Sequence, residues 1–233
     1  MRKVADVQYS EDRIEECWYV NVCNNTCSLN CVRFLEMQHL MESSRLPKAK
    51  QRPIQLIPED IDFDAFTELA KIKDNIVDFV NSGKCLYIAS EYNGNGKTSW
   101  SIKLLLKYFD QVWAGNSFRC RGVFVHVPTL LLRLKDFDNK KDDADLNDLK
   151  RDLLLADVVV WDEIGSDYLS NYDLTQLLTF LDQRDLEEKT NIFTGNLLDD
   201  DLRKKVGAKL HSRIWNGSIK IIFKGSEDRR VEE

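Results

Sequence analysis

The sequence predicts an α/β fold: a five-stranded, mainly parallel sheet flanked by helices, with a small Cys-rich N-terminal module ahead of it. Three observations carry that reading. Short apolar runs recur at 85–90, 122–127, 157–162, 190–195 and 218–223. Segments of helical spacing separate them, and such alternation marks a largely parallel sheet. The middle run, Val158-Val159-Val160-Trp161, is apolar throughout, as a strand covered on both faces requires.

Taken in order, residues 1–46 form a Cys-rich module. Residues 47–54 form a linker, because Pro47 and Pro53 bracket a basic stretch containing Lys48, Lys50 and Arg52. Residues 55–233 make up the α/β domain. After the first strand, 98–109 carries Ile102, Leu105 and Leu106 on one helical face. The acidic, polar stretch 135–148 reads as a solvated loop. A second amphipathic helix spans 171–186, with Leu174, Leu177, Leu178 and Leu181 on its apolar side. The chain stops soon after the fifth strand, so no helical lid is expected.

With 233 residues, the chain has room for one full domain and an appendage. Hydrophobic residues make up 43% and charged residues 31%, which excludes a disordered, collagen-like or wholly coiled-coil chain. No apolar run approaches the roughly 18–20 residues that cross a bilayer, and no secretory signal opens the sequence. A soluble, cytoplasmic protein without a membrane partner is the expectation. The net charge of −6 argues against clamping duplex DNA by charge alone, though it permits a local basic groove.

The sharpest signal is Asn93-Gly94-Asn95-Gly96-Lys97-Thr98-Ser99, which follows the first strand and opens a helix. It nearly matches the phosphate-cradling loop G-x-x-x-x-G-K-[ST] in the context that loop needs. Its glycines turn backbone amides inward around phosphate oxygens, and the helix N-terminus adds positive potential. Lys97 is placed to reach the β and γ phosphates, and the Thr98 hydroxyl to bind Mg²⁺. Glu91 stands where the motif has its first glycine, a departure that bears on the loop's shape.

The third strand ends in Asp162-Glu163, at the edge where open α/β sheets bind ligands. In a nucleotide hydrolase Asp162 holds the Mg²⁺ shell, while Glu163 orients and deprotonates the attacking water. Asn196, after the fourth strand, suits either the γ-phosphate and its water or a helix N-cap. Arg213, just before the fifth strand, suits charge that develops on a transferred phosphate, in its own chain or a neighbour's.

These residues, in this order, resemble the AAA+ P-loop ATPases. More narrowly they resemble the DnaC/DnaI-type replicative helicase loaders and the related IstB transposition helpers. Gly94-Asn95-Gly96-Lys97-Thr98 matches Walker A, and Val158 to Gly165 matches Walker B. Asn196 matches sensor I, and Ser212-Arg213-Ile214 the arginine-finger box. The ending Phe223 to Arg230 is similar to the loaders' terminal segment and brings Arg229 into the nucleotide-binding set. The resemblance implies ATP and Mg²⁺, single-stranded DNA, a hexameric replicative helicase as partner, and Arg213 acting from a neighbouring subunit. It also implies that adenine is gripped by residues within 54–66.

Cys17, Cys23, Cys27 and Cys31 give C-x5-C-x3-C-x3-C, a set that suits tetrahedral Zn²⁺ in a reducing compartment. One straight helix over 23–31 would separate its outer thiols by about 12 Å, so zinc requires a break there. Free thiols and an iron–sulfur cluster stay open beside zinc, with His39 as a substitute ligand. The DnaI-type loaders resemble this order of zinc module, linker and ATPase, and the resemblance implies that residues 1–46 contact the partner helicase.

The expected function is an ATP-dependent replication protein that loads or remodels a hexameric helicase on single-stranded DNA. Two alternatives stand beside it: an IstB-like ATPase assisting a transposase, and a weakly hydrolysing ATP-binding adaptor.

Overall fold

A computed structural model describes residues 17, 23, 31–50, 56–112, 118–140, 144–166 and 168–226. Helix α1 is Val32–Ser43, and α2 (Phe63–Asp74) and α3 (Ile76–Asn81) precede the first strand. Then come β1 (Cys85–Ala89), α4 (Lys97–Gln111), β2 (Gly122–His126), α5 (Val127–Lys140) and α6 (Ala144–Leu155). The chain continues through β3 (Val158–Asp162), α7 (Asn171–Leu186), β4 (Thr190–Gly195), α8 (Asp199–His211) and β5 (Ser218–Ile222). Every strand pair is parallel, in the order β2-β3-β4-β1-β5, so the expected α/β class and strand number hold.

Alternation along the strands builds two cores. Leu86, Ile88, Val158, Val160 and Ile192 face one side, against Trp100, Leu104 and Leu105 of α4. Tyr87, Val159, Trp161 and Phe193 face the other, against Leu130 and Leu134 of α5, Leu149 of α6 and Leu177 of α7. Residues 158–161 are 0% exposed because both faces are covered, which explains their unbroken apolar run.

Within the expected loop at 135–148, residues 135–140 end α5 and residues 144–148 begin α6. Its acidic surface hid an inner stripe: Leu146, Leu149 and Leu153 of α6 lie at helical spacing and are buried. Helix α7 starts on a capping box. Ser170 accepts from the Asp173 amide, and the Asp173 carboxyl accepts from the Ser170 amide at 2.9 Å. Burial opposes ionisation of Asp173, yet hydrogen bonds from Lys135 and Ser170 outweigh it and hold the carboxyl below its ordinary value.

Residues 32–46, expected within the N-terminal module, pack on the sheet domain. Leu40, Met41 and Leu46 are buried in the same cluster as α4, and the Phe124 amide of β2 donates to Ser44 O at 2.8 Å. At the opposite edge, β5 leaves Ile219 and Lys220 exposed. Cys17, Cys23 and Cys31 are half-buried free thiols, whereas Cys27 lies outside the described residues. Among the described residues no His, Cys, Asp and Glu cluster is placed to hold a metal, and no helix is long and apolar enough to cross a membrane.

Candidate functional site

The parallel register brings the C-terminal ends of the strands to one edge, with Ala89 beside Gly195 and His126 beside Asp162. A cleft of about 430 Å³ opens there, lined by residues 93–99, His126, Asp162, Glu163, Thr194 and Asn196. A larger cavity, about 810 Å³ between His39, Phe118 and Leu186, lies at the opposite edge and touches none of these residues. Open α/β sheets bind ligands beyond the carboxyl ends of their strands, so the smaller cleft is the candidate.

The loop between β1 and α4 forms the cleft's floor. Gly94 and Gly96 adopt φ values of 76° and 97°, a left-handed conformation that side chains resist. Gly96 is the N-cap of α4, so the helix's unpaired amides face the cleft. Glu91 is exposed, and the Ser90 hydroxyl accepts from the Tyr92 amide at 3.1 Å. The departure from the glycine motif therefore leaves the cleft open.

Lys97 is nearly buried, and its Nζ donates to Tyr92 O at 2.6 Å and to Asn95 Oδ1 at 3.2 Å. The neighbouring Thr98 hydroxyl donates to Asp162 Oδ1 at 2.7 Å. The same oxygen accepts from Thr194 Oγ1, also at 2.7 Å. Asp162 is only 3% exposed, so the two hydroxyls fix one carboxyl oxygen at the cleft wall. A hard divalent cation favours such oxygen donors, and an adjoining ammonium with inward amides suits polyphosphate. These residues fit a Mg²⁺–nucleotide pair.

Glu163 has φ 61°, a left-handed backbone rare for a side chain of its size and a form of strain that clusters at functional sites. Its amide donates to Thr194 Oγ1 at 3.1 Å, and its carboxyl meets His126 Nε2 at 3.1 Å. His126 Nδ1 contacts Thr129 Oγ1 at 2.8 Å, which orients the ring. Asn196 Nδ2 donates to Asn93 Oδ1 at 2.9 Å across the mouth. The N-cap of α8 is Leu198, so Asn196 does not serve as the cap.

Arg213 stands apart from the cleft. It lies in the π-helical turn Ser212–Asn216, where Nε donates to Asp182 at 2.7 Å and NH1 pairs with Asp185 at 3.3 Å. The Asp182 hydrogen bond raises its pKa above the ordinary value. Arg229 lies outside the described residues. Sequence reasoning missed His126, Thr194 and Lys50, all of which line the cleft. A polar residue closing an apolar strand was the available signal for His126 and Thr194.

No family model matches the chain, and no curated protein matches it by sequence. Solved structures do resemble it. The DnaC helicase loader aligns over 72% of this chain and 93% of its own, at 20% identity and a TM-score of 0.60. DnaI aligns over 78% and 93%, at 19% identity and 0.56. Replication initiator DnaA bound to AMPPCP and single-stranded DNA aligns over 73% and 49%, at 14% identity and 0.59. The chain thus shares the fold of these loaders and initiators, which agrees, at the level of fold, with the resemblance read from its motifs.

Proposed function

We propose that this chain is an ATPase of DNA replication that loads or remodels a hexameric replicative helicase on single-stranded DNA. The observation that carries the reading is the joint placement of Lys97, Thr98 and Asp162 in one cleft, with the Thr98 and Asp162 oxygens 2.7 Å apart. Lys97 and the loop amides bind the β and γ phosphates, while Thr98 and Asp162 would hold a Mg²⁺ ion, which would supply neutralising charge there when bound. Glu163 orients water and accepts its proton, and Asn196 steadies the γ-phosphate end. Arg213 acts on a neighbouring subunit's nucleotide, since its own cleft is lined by other residues.

Two features support a nucleic-acid partner. The DnaA whose fold this chain shares was captured with single-stranded DNA. Tyr168 is 86% exposed close to Glu163, and an exposed ring is a platform on which bases stack. The cysteine module is assigned to helicase contact.

Calorimetric titration with Mg²⁺–ATP tests the core of this proposal. We expect the wild type to bind and Lys97→Ala to bind roughly 100-fold more weakly, because a charge-assisted phosphate contact is lost. No binding by the wild type ends the motor reading. Co-purification with a helicase, in ATP but not ADP, tests the loader role.

One contact favours the adaptor reading as a second choice: the Glu163 carboxyl is already engaged by His126. Substituting His126→Ala is then expected to raise basal hydrolysis severalfold and to blunt its stimulation by single-stranded DNA. A fall in the basal rate would instead mean that His126 assists the chemistry.

A further inference from the structure

Asp62 lies in the turn Asp60–Asp62 before α2, far along the chain from the phosphate loop, yet it is 1% exposed. Its Oδ1 accepts from the Lys224 amide at 2.7 Å, and its Oδ2 accepts from the Gly225 amide at 3.1 Å. Gly225 O in turn accepts from Asn95 Nδ2 at 3.3 Å. Asn95 is fully buried and also donates to Ser90 Oγ, while its Oδ1 receives Lys97 Nζ at 3.2 Å. A continuous hydrogen-bonded path therefore runs from Asp62, through the segment after β5, to the ammonium group in the cleft. A Cβ at Gly225 would crowd the Glu59 carboxylate first and then Asp62 Oδ2, at 2.7 Å, so the backbone approaches both side chains closely there.

We infer that Asp62 is a positioning residue for phosphate binding, acting through Gly225 and Asn95 on Lys97. This rests on the nucleotide reading above. Asn95 uses both ends of its amide: Nδ2 is fixed by Gly225 and Ser90, so Oδ1 points at Lys97 and not at the phosphates. Asp62 sets that orientation by fixing the backbone of 224–225. Its two oxygens are both acceptors for N–H groups, a job that an asparagine side chain does only once, because its NH₂ would face a donor.

The test uses the full chain, comparing wild type with Asp62→Asn. Mg²⁺–ATP and inorganic tripolyphosphate are titrated, and thermal unfolding is followed in parallel. The expected result is a roughly tenfold loss of affinity for both ligands, with cooperative unfolding retained. Weakened ATP binding with unchanged tripolyphosphate binding would place Asp62 at the base end of the nucleotide and overturn the inference. A lower melting temperature with both affinities intact would make the role structural and overturn it too. If the wild type binds tripolyphosphate and ATP but the variant does not fold, hydrogen exchange on the wild type decides. ATP must then change exchange at the Lys224 and Gly225 amides, and no change sinks the inference. A wild type that binds neither ligand fails at the nucleotide reading itself, a separate outcome that removes both.

Discussion

Replacing Arg184 with methionine is expected to lower the free energy of unfolding by at least ~3 kcal/mol, read from urea or thermal melts. Arg184 is 0% exposed in α7, and no carboxylate is among its hydrogen-bond partners. Its guanidinium donates to Leu153 O at 2.6 Å, Ala156 O at 2.9 Å, Thr190 O at 2.6 Å and Asn191 Oδ1 at 2.7 Å. It thus ties the end of α6, the entry to β3 and the start of β4 to one helix. Burial pushes its pKa down to about 10, so the group remains charged at neutral pH. Methionine fills the space but leaves three carbonyls buried without that donor, each costing about 1–3 kcal/mol. Asn191 keeps its bond from Trp161 Nε1 at 3.0 Å. Arg184→Lys restores the charge but not the planar fork, so it should recover only part of the loss. A methionine variant within ~1 kcal/mol of wild type would show that the strand ends tolerate open carbonyls.

Glu163→Gln is expected to slow ATP hydrolysis by about 10²- to 10⁴-fold while ATP binding persists. The substitution keeps the side chain's shape, and the Thr194 hydroxyl still holds the residue's amide, so the left-handed backbone should be retained. Only the capacity to take a proton from water is removed. Single-turnover hydrolysis separates this from a binding defect. Equal rates for the variant and wild type would remove Glu163 from the chemistry and leave the chain a nucleotide-held adaptor.

The strands were legible because parallel sheets write themselves as apolar runs, and each observed strand falls within one residue of its expected bounds. The phosphate loop was legible because its residues are contiguous. Legibility ended where partners are distant in sequence. Asp62 alternates with Ile61 and Phe63 in a stretch that gives no hint which residue is buried, and only the fold brings its carboxylate to Gly225. Trp161 carries an indole N–H into a fully buried strand, and only the fold shows that Asn191, on the neighbouring strand, supplies the acceptor it needs. The start of α6 was hidden by composition, since Asp145 and Asp148 are exposed while Leu146, Leu149 and Leu153 face the core at helical spacing.

The margins of the sheet bear on how copies of this chain can meet. At β2, the turn after α1 already occupies a backbone donor, and at β5 the open side carries Lys220. Charged residues on a free border discourage another backbone from zippering on. Among the described residues, edge-to-edge growth of the sheet is thereby disfavoured, which leaves helix and loop faces for contacts between copies.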